Sequence, residues 1–70
     1  MKIQVTLFDK NNKYRPVSAL VPVTDVNEIK TNREDIKNRG IKAIMIKRGW
    51  TKKELIEYNY LTCKMRVYPQ

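Results

Sequence analysis

From Tyr60 to Tyr68 the side chains alternate without a break. Leu61, Cys63, Met65 and Val67 fall on one side; Tyr60, Thr62, Lys64, Arg66 and Tyr68 fall on the other. A two-residue period is the geometry of a strand that buries one face. Such a strand needs neighbouring strands and a layer of structure over its apolar side. The rest of the chain must supply both, and Pro69 ends the run.

Two segments offer the neighbours. In residues 2–8, Ile3, Val5 and Leu7 alternate with Lys2, Gln4 and Thr6, which predicts a half-buried strand. Asp9 to Lys13 follows; Asp and Asn bond their own backbone and tolerate left-handed dihedrals, so this is a turn. Tyr14 to Val23 is rich in β-branched residues, with Val17, Ala19, Val21 and Val23 on one face. Pro16 and Pro22 cannot donate to a ladder, which assigns this second strand to a sheet edge. The two strands form a hairpin with a loop of about five residues.

The middle of the chain supplies the covering layer. Thr24 or Asp25 suits a helix start, and Glu28 stands three residues after Asp25 as in a capping box. Residues 33–39 are helix-like with Ile36 inward, and Gly40 is an expected interruption. Ile41 to Ile46 reads two ways. A short apolar run after a glycine fits a buried strand; a helix would align Ile36, Gly40, Ala43, Ile44, Lys47 and Trp50 in one stripe. We prefer the helix, because a strand here would need both faces covered in a very small domain. Gly49 suits the C-cap of that element, after Lys47 and Arg48 in the last turn. Thr51-Lys52-Lys53-Glu54 is a second capping box and opens a short helix from Lys52 to Tyr58. Trp50 against Leu55 has the spacing of a hydrophobic staple. The expected architecture is α+β: a ββααβ domain whose three-stranded sheet carries helices on one face. Lys2, Gln4, Thr6, Ser18, Thr62, Lys64 and Arg66 are expected on the open face.

Seventy residues hold one domain. The chain has one cysteine and no histidine, so an internal disulfide is ruled out and no zinc-ligand cluster is available. A lone Cys63 fits a reducing compartment. No apolar run approaches the ~20 residues of a membrane span, and the first residues lack a signal-peptide core. A soluble, cytoplasmic protein is expected, with no membrane, metal or cofactor.

The formal charge is +8, and it is segregated. Residues 25–35 hold Asp25, Glu28, Glu34 and Asp35 against Lys30 and Arg33, whereas residues 36–53 hold seven bases and no acid. Localised positive charge suits an anionic partner; solubility is the plainer reading. Catalysis is not expected. Histidine, the commonest general base, is absent, Cys63 falls on the apolar side of its strand, and there is no phosphate-cradling glycine loop.

Two surfaces are candidates for binding nucleic acid. One is the basic run, with Lys37, Lys47, Arg48, Lys52 and Lys53 available to a phosphate backbone. The other is the last strand, where Tyr60, Lys64, Arg66 and Tyr68 interleave rings that stack on bases with cations that meet phosphates. Ordinary cross-strand packing is the preferred explanation of those tyrosines. Trp50 is expected in the core between two helices.

The outline of Ile41 to Tyr58 resembles the first two helices of a repressor-type helix-turn-helix. That module needs a further recognition segment, and the residues after Asn59 alternate like a strand, so the resemblance is set aside. A second resemblance spans most of the chain. Lys2-Ile3-Gln4-Val5-Thr6-Leu7-Phe8-Asp9-Lys10 and Tyr14-Arg15-Pro16-Val17-Ser18 are similar to small uncharacterised proteins of Gram-positive (Firmicute) conjugative transposons. So are Lys42-Ala43-Ile44, the run from Ile46 to Leu55, Tyr58, Tyr60, and Lys64-Met65-Arg66-Val67-Tyr68. The resemblance implies a bacterial cytoplasm and a mobile-element setting, and carries no catalytic or site residues. It also implies helix over 41–48, although Ile44-Met45-Ile46 is more apolar here than in those proteins.

Two functions follow as expectations. One is a non-enzymatic accessory protein of a mobile element that binds DNA or RNA without reading sequence. The other is a protein–protein adaptor or small regulator that pairs with another protein or with itself, with the edge strand Tyr14 to Val23 as its docking element.

Overall fold

The computed structural model describes residues 1–11, 13–25, 27–58, 60 and 62–68. It is an α+β domain of the expected ββααβ plan, with a single helical turn added before the two main helices. Strands β1 (Lys2–Phe8), β2 (Val17–Pro22) and β3 (Thr62–Tyr68) form one antiparallel sheet in the order β2-β1-β3. The helices are α1 (Glu28–Thr31), α2 (Arg33–Arg48) and α3 (Lys52–Glu57).

The registers place the apolar side chains of all three strands on one face. Ile3 lies between Val21 and Val67, Val5 between Ala19 and Met65, and Leu7 between Val17 and Cys63. The alternate set, including Gln4, Thr6, Ser18, Lys64 and Arg66, forms the other face, with Phe8 and Leu20 added. β2 is an edge strand, as expected; Pro22 is its last residue and Pro16 stands just before its first. It is shorter than the expected Tyr14–Val23, and the connection from β1 is longer than the expected five residues, because the Asn11, Lys13 and Tyr14 N–H groups bond the Asp9 carboxylate instead of a ladder.

That turn is built on one carboxylate. Asp9 is almost enclosed, at 3 % exposed. Its Oδ1 accepts from the Asn11 N–H at 2.9 Å; its Oδ2 accepts from the Lys13 and Tyr14 N–H groups at 2.8 and 2.9 Å. The Asn11 bond, helped by those from Tyr14 and Lys13, holds the Asp9 pKa below its ordinary value against the opposing effect of burial. A lowered folded-state pKa stabilises the fold above the unfolded value and loses that stabilisation as pH falls through the folded one. Urea midpoints are expected to rank wild type above Asp9→Asn, and Asp9→Asn above Asp9→Ala, since the amide keeps one acceptor oxygen. Below about pH 4 the Asp9→Asn profile should be the flatter of the two. Glu28, also lowered, titrates in the same window in both proteins. Identical profiles would show that Asp9 does not contribute.

The helix start near Thr24 forms in one direction only. Glu28 Oε2 reaches back to accept from the Thr24 and Asp25 N–H groups at 2.9 and 3.3 Å. Asp25 does not bond the third residue of the helix; its Oδ1 accepts from the Asn27 N–H instead. α1 is a single turn and yields to α2 at Asn32.

Residues 41–48 are helical. Gly40 does not interrupt: α2 runs through it for sixteen residues. Gly40 is the point of closest approach of helix to sheet, because a Cβ there would stand 2.5 Å from Val5 Cβ. The helix therefore buries Ile36, Gly40 and Ile44 along one stripe. Ile36 joins Ile3, Val5 and Val21 at one end of the core, and Ile44 joins Leu7, Val17, Leu55 and Tyr60 at the other. α2 ends where Gly49 takes φ 68° as its C-cap, a conformation a side chain resists. The Trp50 N–H donates to the Met45 carbonyl across that turn at 2.9 Å.

Thr51 caps α3 reciprocally. Its Oγ1 accepts from the Glu54 N–H at 3.3 Å, and Glu54 Oε1 accepts from the Thr51 N–H at 3.1 Å. No helix among the described residues is long and apolar enough to cross a membrane.

Candidate nucleic-acid interface

The fold separates the sequence-derived candidates into four places. Lys47 and Arg48 occupy the last turn of α2, and Lys52 and Lys53 the first turn of α3. The Gly49 turn joins these two ends, so four exposed cations share one corner of the molecule. The capping carboxylate of Glu54 is engaged with Thr51. Among the described residues the one ion pair is Arg39–Asp35, at 3.1 Å on α2. The corner cations carry no carboxylate partner there.

Lys37 does not belong to this corner. It lies ten residues before Lys47 on α2, about 15 Å along the helix axis, and is half-buried at the rim of a groove beside α3.

Lys64, Arg66 and Tyr68 lie on the open sheet face, as the alternation of β3 requires. Two of them are already occupied. The Lys64 ammonium sits 5.4 Å from the Phe8 ring centroid, within cation–π range. Arg66 Nε donates to Gln4 Oε1 at 3.0 Å, and Gln4 Nε2 donates onward to Ser18 Oγ at 3.4 Å. This polar chain ties β3, β1 and β2 together across their outer side.

Tyr60 departs from the expectation. It is buried, at 6 % exposed, and not on the open face. Its N–H donates to the Leu55 carbonyl at 3.0 Å, so it still belongs to the exit turn of α3; the ladder begins two residues later. Its hydroxyl donates to the Arg15 carbonyl at 2.8 Å, tying the β3 approach to the β1–β2 connection. Burial raises its pKa. Leu61, expected beside it in the strand, lies outside the described residues.

Sequence reasoning missed what Tyr60 joins. The Trp50 and Tyr60 rings stack at 5.4 Å with an interplanar angle of 21°, and Tyr14 and Tyr58 meet edge to face at 5.1 Å. Trp50 packs against the core cluster that contains Leu55, consistent with the expected staple, and Arg48 lies 5.9 Å from its ring. Four aromatics that are dispersed in the sequence thus make one wall beside the basic corner.

Cys63 is half-buried, and desolvation raises its thiol pKa. The described residues hold no group of three potential metal ligands. Comparison with protein-family models, curated proteins and solved structures finds no match to this chain.

Proposed function

We propose that this chain is a non-enzymatic, basic accessory protein of a mobile genetic element, and that it holds nucleic acid by its phosphates without reading sequence. The contact surface is the α2–α3 corner of Lys47, Arg48, Lys52 and Lys53. The mobile-element setting rests on the sequence resemblance alone.

One observation carries the choice of surface. Lys52 and Lys53 stand at the first two positions of α3, at the positive end of a helix dipole. Cations there are disfavoured, by about 0.3 kcal/mol each at an exposed site. Helix stability therefore does not account for them, whereas an anion held outside the helix does. The open sheet face is the weaker candidate. Its Arg66 is hydrogen-bonded to Gln4 and its Lys64 lies over Phe8, whereas in the corner, among the described residues, Arg48 alone lies over a ring. Tyr60 is not on the sheet face to stack a base. A non-enzymatic role is supported by the lack of histidine and by a thiol held in its protonated, weakly nucleophilic form.

Fluorescence anisotropy with labelled duplex DNA, single-stranded DNA and RNA of unrelated sequences tests the proposal. Four phosphate contacts give a slope of log Kd against log salt of about 3.5 on a duplex. Affinity should vary little among sequences of one strand type. No binding at low salt, or binding insensitive to salt, would sink the nucleic-acid reading.

A further inference from the structure

The layer of helices is one helix short. A helix is about 10 Å across, which covers two strands spaced about 4.8 Å apart. α2 lies over β2 and β1, and the side chains of those strands show the result. Ile3, Val5, Leu7, Val17 and Val21 are all buried. On β3 the equivalent side chains are not. Cys63 and Met65 are half-buried, and Val67 is 44 % exposed. α3 has only six residues and closes just the Cys63 end.

At the Cys63 end of this uncovered strip lies a groove of about 420 Å³ between α2, α3 and the start of β3. Ile41, Met45, Leu55 and Cys63 line its apolar floor, and Ile56, 57 % exposed, stands at its lip. Every charged residue that lines it is a lysine: Lys37, Lys42 and Lys52.

We propose that this groove receives an amphipathic helix with an acidic polar face, supplied by another protein. The apolar floor takes the hydrophobic stripe of the helix, and the three lysines meet its flanking carboxylates. Along α2 the groove runs from Lys37 to Met45, about 12 Å, which two turns of a docked helix match. A second copy of this chain is the wrong occupant. Its net charge is +8, and the surface of its one long helix is dominated by cations. The groove shares Lys52 with the nucleic-acid corner, but Lys37, Lys42 and the apolar floor lie outside it, so Lys47 and Arg48 are the variants that separate the two readings.

The thiol of Cys63 in the floor provides the readout. The full chain is alkylated with N-ethylmaleimide alone, with a synthetic Leu/Glu helical peptide, with the same peptide carrying Lys for Glu, and with dodecanoate. Seating of the acidic peptide should slow alkylation at least about tenfold at saturation, with a Kd of roughly 1–100 μM. The Lys peptide should not protect. Ile56→Asp, at an exposed side chain that the core does not need, should abolish protection while leaving the circular-dichroism melt unchanged. Lys47→Gln with Arg48→Gln should leave it intact. Equal protection by both peptides, protection that survives Ile56→Asp, or none at millimolar peptide would each overturn the proposal. Protection by dodecanoate alone would overturn it too, and would make the groove a site for a small anionic amphiphile.

Discussion

Gly40→Ala is expected to leave the protein barely folded, and Gly40→Leu to leave it unfolded. In an exposed helix the alanine would stabilise by about 1 kcal/mol. Here the new Cβ would fall 2.5 Å from the Cβ and one methyl of Val5, and 2.6 Å from the other methyl. Val5 is fully buried in the central strand, and interiors are close-packed. Overpacking of this kind costs about 1–3 kcal/mol or more, and the shortest contacts imply the upper end. A chain of seventy residues has a total stability of only about 3.5–10 kcal/mol. Urea unfolding followed by circular dichroism measures the change. Val5→Ala should rescue Gly40→Ala only in part, because its own Cβ remains at the point of contact. Full rescue, or a stable Gly40→Ala, would show that helix and sheet separate more readily than their packing implies.

Lys52→Glu combined with Lys53→Gln is expected to separate stability from binding. The pair removes three units of positive charge from the corner. It should weaken phosphate binding about a hundredfold at low salt and lower the salt slope by about 2. The thermal midpoint should stay at or above the parent value, since the positive end of the α3 dipole loses two cations and gains a carboxylate. Gln is chosen at residue 53 because an acid there would oppose Glu57 one turn later. Lys64→Gln with Arg66→Gln is the comparison, and should alter affinity by less than about threefold. A larger loss from the sheet-face pair than from the corner would move the interface to the open face.

Most of the architecture was legible in the sequence, and for identifiable reasons. Period-two alternation in residues 2–8 and 60–68 announces strands because each buries one face only. Pro16 and Pro22 mark the edge, and Thr51 with Glu54 marks the start of α3. Gly40 was misread because propensity sees only the missing side chain. The close packing of the helix on Val5, which makes glycine necessary, joins residues thirty-five apart in sequence. Tyr60 was misplaced for a related reason. Alternation continues through it, but the carbonyl of Leu55 holds its backbone in the helix exit. The basic residues themselves were visible from composition. Which of them are free was not, because Phe8 and Gln4, the partners of Lys64 and Arg66, come from the opposite end of the chain.

The order of the strands also governs when this molecule can become itself. β1 is synthesised first yet lies in the middle of the sheet, and one of its two neighbours is β3, some sixty residues later. Until residues 62–68 exist, half of the backbone groups of β1 have no partner, and the β3 side of the core stands open. Pairing at that separation is slow relative to local contacts. A ribosome making this chain therefore carries an unfinished sheet with an exposed edge until nearly the last residue of β3 has left it, so the native state is reached after synthesis of the domain and not during it.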